Sequence, residues 1–156
     1  MSIEFIERLE NKNMEIDENE KNTVQEHGVI CPKTACLLRA LELKNPEIIL
    51  PKSYWHWVEC NRKDNNGIFT LCRPGSAPYP WSGVHVSAYT FTELWNALNM
   101  EICKDGNKYV KSVKGQYDYF ECCYDSGLHE RFSSDVHENI QEAVAQTFMF
   151  VLKEKQ

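Results

Sequence analysis

Tyr117-Asp118-Tyr119-Phe120-Glu121-Cys122-Cys123-Tyr124, followed by Asp125-Ser126-Gly127 and by the apolar periodicity of residues 138–153, is the stretch on which the fold reading turns. The first piece is dense in aromatic residues and reads as a strand. The second reads as a turn, with a glycine suited to positive φ, leading into another extended piece. In the third, Ile140, Val144, Thr147, Phe148 and Val151 share one helical stripe that Ala145, Met149 and Leu152 widen, the pattern of a helix laid against a sheet. A lone hairpin could not cover that face, so the rest of the chain must supply more sheet.

Working back toward the N-terminus, Lys114-Gly115-Gln116 reads as the turn that feeds this strand, and residues 108–113 as its partner, entered from Asp105-Gly106-Asn107. Thr90-Phe91-Thr92-Glu93 has the form of a capping box for a short helix carrying Leu94, Trp95, Ala97 and Leu98. Tyr54-Trp55-His56-Trp57-Val58-Glu59-Cys60 is a strand by composition, paired through the turn at Asn66-Gly67 with Ile68-Phe69-Thr70-Leu71-Cys72. Cys31-Pro32 opens a helix in which Pro32 needs no N–H partner and Cys36, Leu37, Leu38, Ala40 and Leu41 give the buried face, with Asn45-Pro46 ending it. Short turns favour antiparallel neighbours. The expected fold is therefore α+β, a mostly antiparallel four- or five-stranded sheet with helices packed against it.

At 156 residues, with four Trp, seven Tyr and seven Phe, the chain can bury a substantial core. Residues 2–12 suit a short helix through Ile3, Ile6 and Leu9, and residues 11–27 are polar and read as an acidic linker. The expected organisation is an N-terminal appendage over 1–28 and a single α+β domain over 29–156. Asp135 is placed to cap the last helix.

Acidic residues outnumber basic ones 23 to 17, giving a net charge of -6, which disfavours a phosphate backbone as partner. Lys104, Lys108, Lys111 and Lys114 do not alter that, because strand alternation splits them between faces and lysines commonly protect a solvated edge strand. Seven cysteines at irregular spacing point to reduced thiols and a cytoplasmic setting, and neither a leader pattern nor a membrane-length apolar run is present.

From Cys31 onward the chain resembles small proteins encoded by bacteriophages and prophages of Bacteroides-like gut bacteria. The resemblance is carried by Cys31, Ala35, Leu38 and Leu41, by Tyr54-Trp55-His56-Trp57-Val58, by Ala88-Tyr89-Thr90-Phe91-Thr92-Glu93-Leu94-Trp95, and by Glu142-Ala143 with the closing Leu152-Lys153-Glu154-Lys155. The loop after Arg73 and the acidic N-terminal segment look longer than the family pattern. That family has no established activity, so the resemblance implies a mobile-element context and assigns no site residue.

Chemistry is sparsely signalled. Structural zinc wants close Cys or His pairs, and neither Cys31 with Cys36 nor adjacent Cys122 and Cys123 fits, so no metal and no cofactor are expected. Cys31 at a helix N-terminus is the best thiol candidate, with His27, His56 or His129 as a base to be brought near in space. Asp118 with a histidine is the corresponding carboxylate candidate, beside Glu121, Glu130 and Asp135. Nucleotide binding is poorly served, because the glycines are isolated and none builds a glycine-rich turn between a strand and a helix. The most distinctive local feature is the segment from Arg73 through Tyr79 to Trp81, which also holds three prolines. Arg and aromatic side chains are enriched in binding hot spots. The sequence thus favours a small non-enzymatic accessory or protein-binding domain using Arg73, Tyr79 and Trp81, with a protein partner or a homodimer covering any unspent apolar surface. The alternative is a hydrolase or thiol enzyme built on Cys31 or Asp118.

Overall fold

The structure is a computed structural model that describes residues 3–10, 18–60, 68–73, 84–127, 131–134 and 136–154. Asp135 and the loop residues Tyr79 and Trp81 lie outside the described residues. The chain divides into two compact units, Met1–Thr90 and Phe91–Gln156. Both are α+β, and every strand pairing is antiparallel.

In the first unit, helices α1 (Ile3–Glu10), α2 (Glu18–His27) and α3 (Pro32–Lys44) precede strands β1 (Trp55–Cys60), β2 (Ile68–Cys72) and β3 (His85–Ala88), which form a sheet in the order β2-β1-β3. Alternation along the strands sends Trp57, Phe69, Val86 and Ala88 to one buried face. Helix α3 packs on β3, and α1 packs on α3, burying Leu9. Docking of this kind stabilises an eight-residue helix that would be marginal alone. Glu59 is 2% exposed and meets the Arg8 guanidinium of α1 at 3.4 Å. The α3 termini follow the expected chemistry: Cys31 is the N-cap with Pro32 next, and Asn45 ends the helix, its Nδ2 donating to the Leu41 carbonyl at 3.0 Å. Val29 and Thr90 form an isolated antiparallel bridge, and the Ile30 N–H donates to the Tyr89 carbonyl at 2.9 Å.

Residues 18–27 are a correction to the linker reading. They form α2, which buries Val24 and Glu20 and ends at Gly28, whose φ of 63° and N–H to the Val24 carbonyl at 2.9 Å make it a left-handed cap. A helix with one apolar anchor escapes a search for apolar periodicity. The glycine after His27 was its sequence signal.

In the second unit, α4 (Phe91–Ala97) is followed by β4 (Glu101–Lys104), β5 (Asn107–Gln116), β6 (Tyr119–Asp125) and β7 (Arg131–Ser133), a four-stranded sheet in that order, and by α5 (Ile140–Glu154). The strands are thus shared between two sheets of three and four. Helix α5 lies on β6 and against α4, burying Val144, Thr147, Phe148, Met149 and Leu152. Thr147 Oγ1 donates to the Cys122 carbonyl at 3.0 Å, tying the helix to the sheet. Glu142, which simple periodicity places toward solvent, is buried.

Three local expectations change here. The turn into β6 is Tyr117-Asp118, not Lys114-Gly115-Gln116, because Gly115 pairs with Phe120 inside the ladder. A Cβ at Gly115 would stand 3.3 Å from the Phe120 ring, so the glycine serves a cross-strand aromatic contact. Secondly, β4 went unread, being short and half-exposed; Asp105 (φ 52°) and Gly106 (φ 79°) form the positive-φ hairpin turn that joins it to β5. Thirdly, β5 is an internal strand and Lys111 is only 8% exposed. Its Nζ donates to the carbonyls of Trp95 at 2.7 Å and Leu98 at 3.0 Å and lies 4.2 Å from the Trp95 ring centroid. The lysine therefore satisfies carbonyls that the end of α4 leaves without helical partners, and burial holds its ammonium below the ordinary lysine range.

Candidate functional site

The site is built on the outer edge of β2. Glu59 donates its N–H to Val84, on the β3 side of β1. Strand alternation then directs the main-chain groups of Ile68, Thr70 and Cys72 toward β1, and those of Phe69 and Leu71 outward. Helix α2 runs alongside this edge with Glu20, Thr23 and His27 on one face, at i, i+3 and i+7 spacing. Glu20, 6% exposed, accepts the Phe69 N–H at 3.2 Å, standing where a neighbouring strand's carbonyl would stand. Beyond that contact a cleft of about 400 Å³ opens between the two elements, lined by Asn19, Thr23, His27, Trp55, Trp57 and Leu71 among others.

An aromatic cluster forms its mouth. The Trp55 ring lies 4.7 Å from the His27 ring at 57°, and 5.2 Å from Tyr54 edge-on. The Arg73 guanidinium sits 5.6 Å over the Trp55 ring, a cation–π contact worth about 0.5–1 kcal/mol at an exposed position. Trp57, beneath, is anchored by its Nε1 donating to the Ile30 carbonyl at 2.8 Å. The floor is therefore fixed, and the rim offers a cation, an imidazole and a half-buried indole. Of the three residues expected to bind, Arg73 lies over the ring of Trp55, and Tyr79 and Trp81 fall outside the described residues. By sequence Trp55 reads as part of a strand, and His27 as a linker residue and one candidate base for Cys31. The signal for them lay in the aromatic density of 54–57, which packing alone also explains.

The chemical candidates are placed elsewhere. Cys31 sits at the start of α3 with its Sγ 3.3 Å from Thr34 Oγ1. His27 is engaged with Trp55. Asp118 occupies the exposed tip of the β5–β6 hairpin and does not begin a strand. Burial pushes the thiols of Cys72 and Cys122 up, away from nucleophilic thiolate chemistry. Among the described residues no group of three His, Cys, Asp or Glu side chains could hold a metal ion, and no helix is long and apolar enough to cross a membrane.

No family model matches this sequence, and neither the curated proteins nor the solved structures contain a match to it.

Proposed function

We propose that this chain is a non-enzymatic protein-binding module of phage or prophage origin, acting in a bacterial cytoplasm through the aromatic mouth of the α2–β2 cleft. The observation that carries the reading is Trp55, held by His27, Tyr54 and Arg73 at the rim of a cavity. Rigid aromatic and arginine side chains over a fixed floor lose little conformational entropy on contact, which is why such groups dominate binding hot spots. Neither Cys31 nor Asp118, on which the enzyme alternative depends, lines that cleft. The mobile-element origin rests on the sequence resemblance. Arg73 also leads into the segment containing Tyr79 and Trp81, which extends the expected surface along the chain.

The test is capture of the tagged chain's partners from lysate of its host, with identification and reconstitution from purified components, comparing wild type with Trp55→Ala and Arg73→Ala. A stoichiometric partner whose affinity falls at least about tenfold in Trp55→Ala supports the reading. A partner indifferent to both substitutions would move the surface elsewhere. Light scattering on the purified protein separates a homodimer from a heterologous complex.

A further inference from the structure

We infer that the outer edge of β4 pairs with the same edge of a second copy of this chain, across a two-fold axis at Ile102, so that the four-stranded sheets of both copies run on as one. Strand β4 belongs to the second unit and shares no residue with the α2–β2 cleft, so the two proposals stand or fall separately.

The backbone phase of β4 is set by its inner neighbour. The Lys111 N–H donates to the Met100 carbonyl at 3.0 Å, and Ile102 and Lys104 stand at the same phase opposite Tyr109 and Asn107. Strand alternation then turns the main-chain N–H and C=O groups of Glu101 and Cys103 away from β5. Those groups have no hydrogen-bond partner among the described residues. Met100 and Cys103 are exposed beside them, and the hairpin turn at Asp105 and Gly106 carries the chain back into β5. An edge of this kind is ordinarily guarded by charge. Here the charges are matched within the chain: Lys104 Nζ meets Glu154 of α5, and Lys108 Nζ meets Glu101, each at 2.8 Å.

Register follows from geometry. Outward-turned residues must oppose outward-turned residues, so the pairing can shift only in steps of two. With Glu101 opposite Cys103 of the second copy, and Cys103 opposite its Glu101, both pairs exchange main-chain bonds and the overlap runs from Met100 to Lys104. Ile102, half-buried on the face it shares with Tyr109, then meets Ile102 of the second copy at the close spacing of about 4.5 Å found in a non-hydrogen-bonded pair. Lys104 falls opposite Met100, so no like charges are opposed. A shift one way sets Glu101 against Glu101, which is unfavourable. The other shift sets Glu101 against Asp105, where the chain already turns. Because one edge serves both copies, the pairing closes on itself and does not propagate.

So small a contact makes an exchanging dimer, not an obligate one. The experiment follows the full chain under reducing conditions by sedimentation velocity from about 10 μM to about 1 mM. Amide exchange is measured by NMR at both ends of that range, and isotope-filtered NOEs are recorded in a mixture of labelled and unlabelled protein. The expected result is a monomer–dimer equilibrium, exchange at Glu101 and Cys103 slowed at least about threefold at the higher concentration, and an NOE between the Ile102 methyls of the two copies. Cys103→Pro removes an outward N–H without touching the ladder to β5 and should weaken the dimer at least about tenfold, whereas Cys103→Ser should leave it unchanged. The measurements on unaltered protein decide the matter even if Cys103→Pro misfolds. A monomer throughout, a dimer with unchanged exchange at Glu101 and Cys103, or a dimer without the Ile102 contact would each overturn the inference. Trp55→Ala should dimerise as wild type does; a dimer lost in that variant would place the contact at the aromatic mouth and refute the β4 pairing alone.

Discussion

Replacing Tyr124 by Phe reverses the sign of its own stability effect as pH rises. The ring of Tyr124 is fully buried, and its hydroxyl donates to the Asn99 carbonyl. Phenylalanine keeps the ring and loses that bond, which costs about 1 kcal/mol at neutral pH. Burial, with a smaller contribution from Cys122, raises the phenol from its ordinary value near 10 to about 12. Between those values the unfolded chain loses its phenol proton while the folded chain keeps it. The folded state binds more protons, so stability falls with rising pH. The contribution is fully present below pH 10, has dropped by about 1.4 kcal/mol at pH 11, and is lost to the extent of about 3 kcal/mol above pH 12. Tyr124→Phe carries no such loss. Urea denaturation followed by tryptophan fluorescence, run on both proteins from pH 7 to about pH 11, should show wild type more stable at neutrality and the two curves meeting between pH 10 and 11. A stability difference that stays constant across that range would refute the assignment of a raised, buried phenol. A crossing displaced upward would mean that the hydroxyl bond is worth more than assumed.

Lys111→Met retains the apolar stem but strips the Trp95 and Leu98 carbonyls of their donor, and should cost about 2–3 kcal/mol in urea denaturation; a loss under about 0.5 kcal/mol would mean that water replaces the ammonium there. Tyr117 has a φ of 56° with its side chain 94% exposed, so Tyr117→Gly relieves left-handed strain without removing packing and should raise stability by about 0.5–1 kcal/mol; no gain would place the strain elsewhere. An aromatic disulfide reagent should modify Cys103 promptly in the native protein, and Cys36, Cys122 and Cys123 only at the rate of unfolding, given their exposure. Prompt reaction at Cys122 would contradict the packing of α5 on β6.

What the sequence made legible was whatever a strong local pattern encodes. The apolar stripe of α5, the pairing of β1 with β2, and the Cys31-Pro32 start and Asn45 end of α3 all follow from periodicity and backbone chemistry, which neighbours in sequence largely determine. Three of the misreadings share a cause, because each concerns a residue whose partner lies on another element. Gly115 is a turn residue by propensity and a ladder residue because of the Phe120 ring. Lys111 is a solvated cation by type and a buried one because the end of α4 offers it two carbonyls. Helix α2 has almost no apolar face of its own and is held by Val24 and by one carboxylate meeting an edge amide. The candidate site shares this property. Arg73 could be picked out by residue type, whereas its ring partner Trp55, and the helix that brings His27 to the same ring, exist as a site only after α2 has docked.

The small bridge between residues 29–30 and 89–90 determines how the first unit answers a mechanical load. Both chain exits leave from the same end of that antiparallel pairing. Tension applied between residues 28 and 91 would therefore peel its contacts one after another, beginning with Val29 and Thr90, instead of loading them together in shear. Everything enclosed between them, α3 and the whole three-stranded sheet, carries none of that tension until the pairing parts. The enclosed chain is a closed loop off the line of force, and its release would add about 200 Å of contour length.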